Sequence, residues 1–413
     1  MTIKTTLTAI GLALTLPLAA TAEDVEFMTW TYTEENGRPF IDAMIEGFDG
    51  EVEPIGYAWG EMTRNTFLRA RTDTLPDISQ VQARLLPTLA NIEQMVDLNT
   101  VFDRSQLEAM FPPGFLAFGE IDGRQMALPW IGGTIGMVAN EQVMEAAGIA
   151  EVPGTLDEFT AALVAIRDSI PNSVPYGLAT RNNNSIVLDY LIWVWTHGGE
   201  VMLDGEPVVN SPEAVAALEY MVMLVEERLA APEIDRPDAR RLFGQGAMGF
   251  YFDAPSAISF AQEFSGDETY GQYVQPMATP VAVADADPVS IQWGHVLVMY
   301  GDENATADSA PAEFLMHLLS DNVLVPYASA KGVLPTTTSG QASADITSDP
   351  YLTAWAQNAG VPRRNTIAGL SNGAEVATII GEEVQAAILG QKTAEEAAND
   401  MQARLEEAMA NAG

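Results

Sequence analysis

Rings set beside amides, carboxylates and guanidiniums recur along this chain at the ends of short apolar runs. Trp30 and Tyr32 close one such run, Val25 to Trp30, and share a loop with Glu34, Glu35 and Asn36, while Tyr57 and Trp59 close a second run in the same fashion. Further on, Arg181-Asn182-Asn183-Asn184 makes a polar stretch ahead of a helix-like segment carrying Trp193 and Trp195. The spacing of that Trp pair suits a core, so Arg181, Asn182 and Asn183 are the better candidates for contact. Such residues suit recognition rather than bond breaking. Rings stack on apolar C–H faces, and Asp, Asn, Gln and Arg can hydrogen-bond a belt of hydroxyls in planar fashion. Each ring has a competing use as a cap on its sheet, but loops at strand ends are where ligands bind.

Catalytic sets are harder to find. The chain has three histidines, His197, His295 and His317, in no metal-binding spacing, and no cysteine, which removes disulfides, thiol catalysis and Cys-ligated metals together. No G-x-S-x-G elbow is present, and Gly390-Gln391-Lys392-Thr393 lacks the upstream glycine of a phosphate loop. With 57 acidic residues a carboxylate pair for glycoside hydrolysis can be drawn almost anywhere, so composition lends that alternative no weight. No cofactor and no metal are expected, and the absence of repeats and of cysteine disfavours an adhesive or structural role.

The elements that must hold these residues read as alternating strands and helices. Val25 to Trp30, Val52 to Tyr57 and the segment after Pro76-Asp77 are strand-like, with helical spacing over Phe40 to Phe48 and Glu61 to Arg71, an order that predicts a parallel sheet with helices on both faces. Gly132-Gly133 and the Pro- and Asp-rich stretch Pro276 to Pro288 read as two crossings between bodies. Thr155-Leu156-Asp157-Glu158 is a capping box opening a helix, and Ser211-Pro212 opens another. Strands are expected at Ile135 to Ala139, Met248 to Phe252 and His295 to Tyr300, with closing helices at Ala374 to Leu389 and Ala394 to Met409.

Several short elements occur in one order over nearly the whole chain: Leu75-Pro76-Asp77-Ile78; Asp122-Gly123-Arg124 with Ala127-Leu128-Pro129; Asn140 with Val143 to Gly148; Gly198-Gly199; Val209-Asn210-Ser211-Pro212-Glu213; Phe243 with Gly246-Ala247-Met248; Gly332-Val333-Leu334-Pro335; and Ile388-Leu389-Gly390. In this order the chain resembles the family 1 extracellular solute-binding proteins, the sugar-binding components of ABC importers. It departs from the pattern at Ala139, where an aromatic often precedes the Asn, and lacks the Ser-Gly that usually precedes Pro76-Asp77. The resemblance implies an α/β fold of two lobes, each a mostly parallel sheet flanked by helices, with hinge strands between them. Lobe one would comprise 23–131 and 279–331, and lobe two 132–278 and 332–413. The interlobe cleft would be the site. By the same resemblance Gln80 and Gln82 lie where ligands are contacted, Trp130 and Trp293 sit at the crossings, Tyr251 and Asp253 stand where a stacking aromatic occurs, and Arg363 or Arg364 supplies a late guanidinium. The implied function is to capture a mono- or oligosaccharide and deliver it, as a monomer, to a membrane permease, with a polyol or glycerol-phosphate type ligand as the alternative.

Two bulk features bear on place and ligand. Lys4, the apolar stretch Leu7 to Leu18 and Ala20-Thr21-Ala22 form the three parts of a secretory signal, with cleavage expected after about Ala22. Without a cysteine to carry a lipid, release into a periplasm is expected. The formal charge of −38, with basic residues that are nearly all Arg, excludes nucleic acid and anionic membrane surfaces as partners and tilts the ligand toward neutral or cationic.

Overall fold

The computed structural model of the protein describes residues 25–283, 286–301, 305–358, 360–368, 370 and 372–412; the expected signal segment lies outside the described residues. Strands Val25–Met28, Val52–Ile55 and Ile78–Gln82 are joined by helices Arg38–Glu46 and Met62–Arg71. Val25–Met28 lies between the other two strands and pairs parallel with both, Val25 opposite Val52 and Phe27 opposite Ile78. The alternation read from the sequence therefore places the loops after all three strands at one edge of the sheet, because parallel strands end on the same side.

Two long strands organise the rest. Leu128–Asn140 and Val289–Met299 run antiparallel, from Leu128 opposite Leu297 to Ile135 opposite Ile291. Each changes core along its length. Leu128, Trp130, Ile131, Leu297 and Met299 pack with Val25, Phe27 and Phe314 in one core, whereas Ile135, Met137, Ala139, Val289 and Ile291 pack with Phe159, Trp193 and Phe250 in another. The far end of Leu128–Asn140 pairs antiparallel with Phe250–Asp253 and Val274–Met277. These are the hinge strands of a two-lobe α/β fold. At the crossing Gly132 faces Gly294. A Cβ on Gly294 would come within 2.6 Å of the Phe118 ring, and one on Gly132 would strike Phe115, so glycine at both positions lets two aromatic rings close on the hinge.

The crossings differ from expectation in form. Gly132 and Gly133 lie inside a continuous strand, not in a loop. Pro276 belongs to the edge strand Val274–Met277, and the return between cores occurs within Val289–Met299 rather than in the Pro-rich stretch. Proline is tolerated at such an edge because its missing N–H has no ladder partner to lose. Downstream of Gly332, Val333, Ile346 and Leu352 pack into the first core, while Val376, Ile380, Val384 and Leu405 pack into the second.

The second lobe centres on helix Asn184–Thr196, which is buried on every side from Ile186 to Thr196. Its N-cap is Asn183, and the Thr155/Glu158 capping box and the Ser211 cap both form as read from sequence. Each large apolar side chain buried here contributes about 1.5–3 kcal/mol relative to exposure. Among the described residues no helix is long and apolar enough to cross a membrane.

Candidate ligand-binding cleft

A cleft of about 590 Å³ opens between the two cores. One wall comes from the residues that end the third strand, Gln82 and Arg84, and from Phe118 and the turn at Asp122; the other comes from Leu188, Arg364 and Thr366. The hinge strand supplies the floor, Ile291 to Gly294. The size and the interlobe position are those of small-molecule sites.

Trp293 is the half-buried ring of that floor and packs against both cores. Behind it stands His295, edge-on to Trp293 at 4.6 Å and to Trp30 at 4.7 Å. Gln80 Nε2 donates to His295 Nδ1 at 3.1 Å, and Gln80 Oε1 accepts from the hydroxyls of Thr29 and Thr31. Burial, with the positive charges of Arg84 and Lys331 adding to it, pushes the His295 pKa down to about 3, so the ring is neutral and carries its proton on Nε2.

Arg84, half-buried in the cleft wall, stands apart from the paired guanidiniums of the second lobe. Its Nη2 donates to the neutral Gln82 Oε1 and its guanidinium lies 5.9 Å from the centre of the exposed Trp59 ring. Among the described residues it has no carboxylate partner, and burial lowers its pKa to about 10. Outside the cleft lining the lobes also touch, where Asn36 Nδ2 donates to Glu263 Oε2 at 3.1 Å; within lobe one Lys331 Nζ holds the same loop through Asn36 Oδ1 at 2.8 Å and Glu34 Oε2 at 3.4 Å.

A sheet shared through hinge strands, with a ring-floored cleft between lobes, is the geometry of a binding protein, and the comparisons decide which kind. Residues 40–354 match the bacterial extracellular solute-binding protein family. The chain belongs to that family. Relatives include a probable ABC transporter-binding protein of Deinococcus radiodurans, 23% identical over 62% of this chain and 64% of the relative, and the diacetylchitobiose binding protein DasA of Streptomyces coelicolor, 24% identical over 67% of this chain and 64% of the relative. The chain thus matches somewhat under two thirds of the length of these curated relatives. Among solved structures, maltose-bound MalE3 of T. maritima superposes with a TM-score of 0.80 at 22% identity, covering 93% of this chain and 99% of that one. The GacH receptor of Streptomyces glaucescens superposes with a TM-score of 0.81 at 18% identity, covering 94% and 99%. These likenesses carry the two-lobe fold, and the family is one of binding proteins rather than enzymes.

For this solute-binding protein the cleft gathers some of the sequence-predicted residues and leaves others elsewhere. Gln82, Trp293 and Arg364 line it. Trp59 stands next to it under Arg84, while Trp30 and Gln80 act from behind by holding His295. Tyr57 packs on Met28, Trp30 and Met62. Tyr32 borders a separate open depression with Glu34, Glu35 and Arg38, and Arg38 sits 4.5 Å over its ring.

The remaining candidates do not line the cleft. Trp130 is fully buried, stacked on Tyr327 at 4.9 Å, and Tyr251 is fully buried against Phe243 at 4.9 Å, so both rings are spent on cores. Asp253 is buried too, gripped by Arg240 through two 2.7 Å bonds; burial would raise its pKa, but Arg240 and Arg236 hold it below the usual carboxylate value. Arg181 pairs with Asp235 at 2.9 Å and Asp238 at 3.3 Å, drawn to the acidic start of helix Arg236–Gly244. Asn183 caps its own helix, and Asn182 is exposed on the loop before it, beside Gly381. Arg363 pairs with Glu200 at 2.5 Å and covers Trp195 at 4.6 Å. Sequence reading missed Arg84, Phe118 and Asp122. Arg84 had a signal, since it follows the Gln80/Gln82 strand end by two residues in a chain poor in cations. Among the described residues no group of His, Cys, Asp or Glu is placed to hold a metal ion.

Proposed function

We propose that this chain is the periplasmic substrate-binding component of an ABC importer, capturing a sugar in the interlobe cleft and presenting it to the permease. The observation that carries the reading is Trp293, a ring on the cleft floor that packs against both cores and is flanked by Gln82, Arg84 and Arg364. A ring for a C–H face, ringed by planar donors and amides, meets what a hydroxyl-rich ligand needs. A relative that binds diacetylchitobiose and a structural neighbour solved with maltose support the same class of ligand. Export follows from the signal read at residues 1–22, and the protein acts as a monomer.

The division of lobes expected from the sequence is shifted at two places: Val289 and Ile291 pack with lobe two, so the return lies within Val289–Met299 and not at residue 279, and 332–352 goes with lobe one, where its apolar side chains pack. Ligand contacts made from both lobes favour the closed arrangement, so binding energy sets a conformational equilibrium rather than lowering a chemical barrier. The test is a thermal-shift and tryptophan-fluorescence screen over mono-, di- and trisaccharides. A true ligand at about 100 times its Kd adds roughly 2.7 kcal/mol to stability and perturbs emission from Trp293. Silence across the whole panel sinks the sugar reading. A second reading, a polyol or glycerol-phosphate ligand, draws on the guanidinium of Arg364, which has no ion-pair partner among the described residues.

A further inference from the structure

The cleft's charge runs against that of the chain. Its lining carries three guanidiniums, Arg84, Arg124 and Arg364, against two carboxylates, Glu120 and Asp122, in a protein of formal charge −38. Ion pairing then sorts these groups. Glu120 is paired with Arg104 at 3.4 Å and Arg124 with Asp97 at 3.6 Å, which leaves Arg84, Arg364 and Asp122 without an ion-pair partner among the described residues. Arg84 is half-buried opposite neutral groups and so partly desolvated without a counter-charge, while Arg364 stands exposed on the facing wall.

We propose that the ligand is a sugar acid bearing one negative charge, whose carboxylate is received by Arg84 and Arg364. This rests on the sugar-binding reading and narrows it. The excess of one positive group in the lining matches a monoanion, and the nearby Asp122 and Glu120 disfavour a phosphate dianion. A planar carboxylate also accepts two parallel N–H bonds from a guanidinium, which a hydroxymethyl group cannot do. The bulk charge pointed to a neutral or cationic ligand, but that field is screened within about 8 Å at physiological salt, whereas contacts inside the cleft are not. Charge on the outer surface therefore governs the approach of the ligand, and the two arginines govern its identity.

Paired ligands that differ only at one carbon give the test. Titration calorimetry compares D-galacturonate with D-galactose, D-glucuronate with D-glucose, and maltose oxidised to a carboxylate at the C6 of its non-reducing residue with maltose itself, with glycerol 3-phosphate as the phosphate arm. The expected result is that at least one uronate binds about tenfold or more tighter than its neutral partner, with affinity falling as salt is raised. Arg84→Gln and the exposed-loop variant Arg364→Gln should each weaken uronate binding about tenfold more than they weaken binding of the matching neutral sugar. Neutral sugars binding as tightly as uronates, or Arg84→Gln weakening both classes equally, overturns the sugar-acid assignment and leaves sugar binding standing. Tightest binding of glycerol 3-phosphate overturns it in favour of a phosphate site. No heat with any of these compounds sinks both readings.

Discussion

Arg240 in the second lobe and Arg84 on the cleft wall are both guanidiniums drawn partly or wholly out of water, and the protein treats them in opposite ways. Arg240 meets Asp253 through two 2.7 Å bonds and lies 3.8 Å over the Phe260 ring; its neighbour Arg236 meets the buried Asp189 at 2.6 Å. Burial would lower the pKa of both arginines, yet the carboxylates beside them raise it. Arg84 has only a neutral amide and a ring, and its pKa falls. A charge whose partner is built into the chain belongs to the fold. A charge whose partner is missing belongs to whatever the cleft receives.

The comparison breaks most visibly at Asp253. Asp253→Ala strips Arg240 of its partner and leaves a buried cation uncompensated, and the expected loss is about 3–5 kcal/mol in urea unfolding. A loss under about 1 kcal/mol would mean that the second lobe tolerates an unpaired guanidinium as the cleft does, and the contrast would lose its force.

Behind the cleft wall, His295 sharpens the contrast through pH. Its pKa of about 3 in the folded chain lies below the ordinary value of 6.5, so the unfolded chain binds the extra proton first as pH falls. Stability should therefore be steady above pH 6.5 and decline from there toward pH 3. Between pH 6.5 and 5.5 this one residue accounts for about 1 kcal/mol, a window in which most carboxylates are still ionised. Urea unfolding at the two pH values reads it, and His295→Gln should flatten the slope. An unchanged slope in the variant would show that the ring between Trp30 and Trp293 is hydrated rather than buried.

How far the sequence speaks follows from which physical signal is local. Period-two and helical spacing marked the three parallel strands, and cap chemistry at Thr155 and Ser211 marked helix starts, because those patterns are complete within a few residues; Asn183, read as a ligand contact, is a third such cap. The hinge strand Val289–Met299 was half seen, since Gln292-Trp293-Gly294 interrupts its apolar run where it leaves one core for the other. Ring candidates divided for a similar reason. Trp293 and Trp130 both neighbour glycines on hinge strands, yet which faces the cleft depends on Tyr327, nearly two hundred residues beyond Trp130, stacking on the latter. Arg181 and Arg363 looked free in sequence because Asp235 and Glu200, which occupy them, are brought in only by the fold.

Arg84 itself gives the smallest effect and the most telling sign. If its charge waits for a ligand, removing it from the empty protein relieves a desolvated cation and breaks only a hydrogen bond to Gln82. Arg84→Met keeps the aliphatic stem against Trp59, so unfolding free energy without ligand should change by less than about 1 kcal/mol, or rise. The same substitution should cut the stabilisation that a saturating sugar acid gives the native protein by about 1.4 kcal/mol, the equivalent of a tenfold loss of affinity. A loss of about 3 kcal/mol without ligand would place Arg84 beside Arg240 as a structural cation, and the exposed Arg364 alone would then be left in the cleft to recognise an anion.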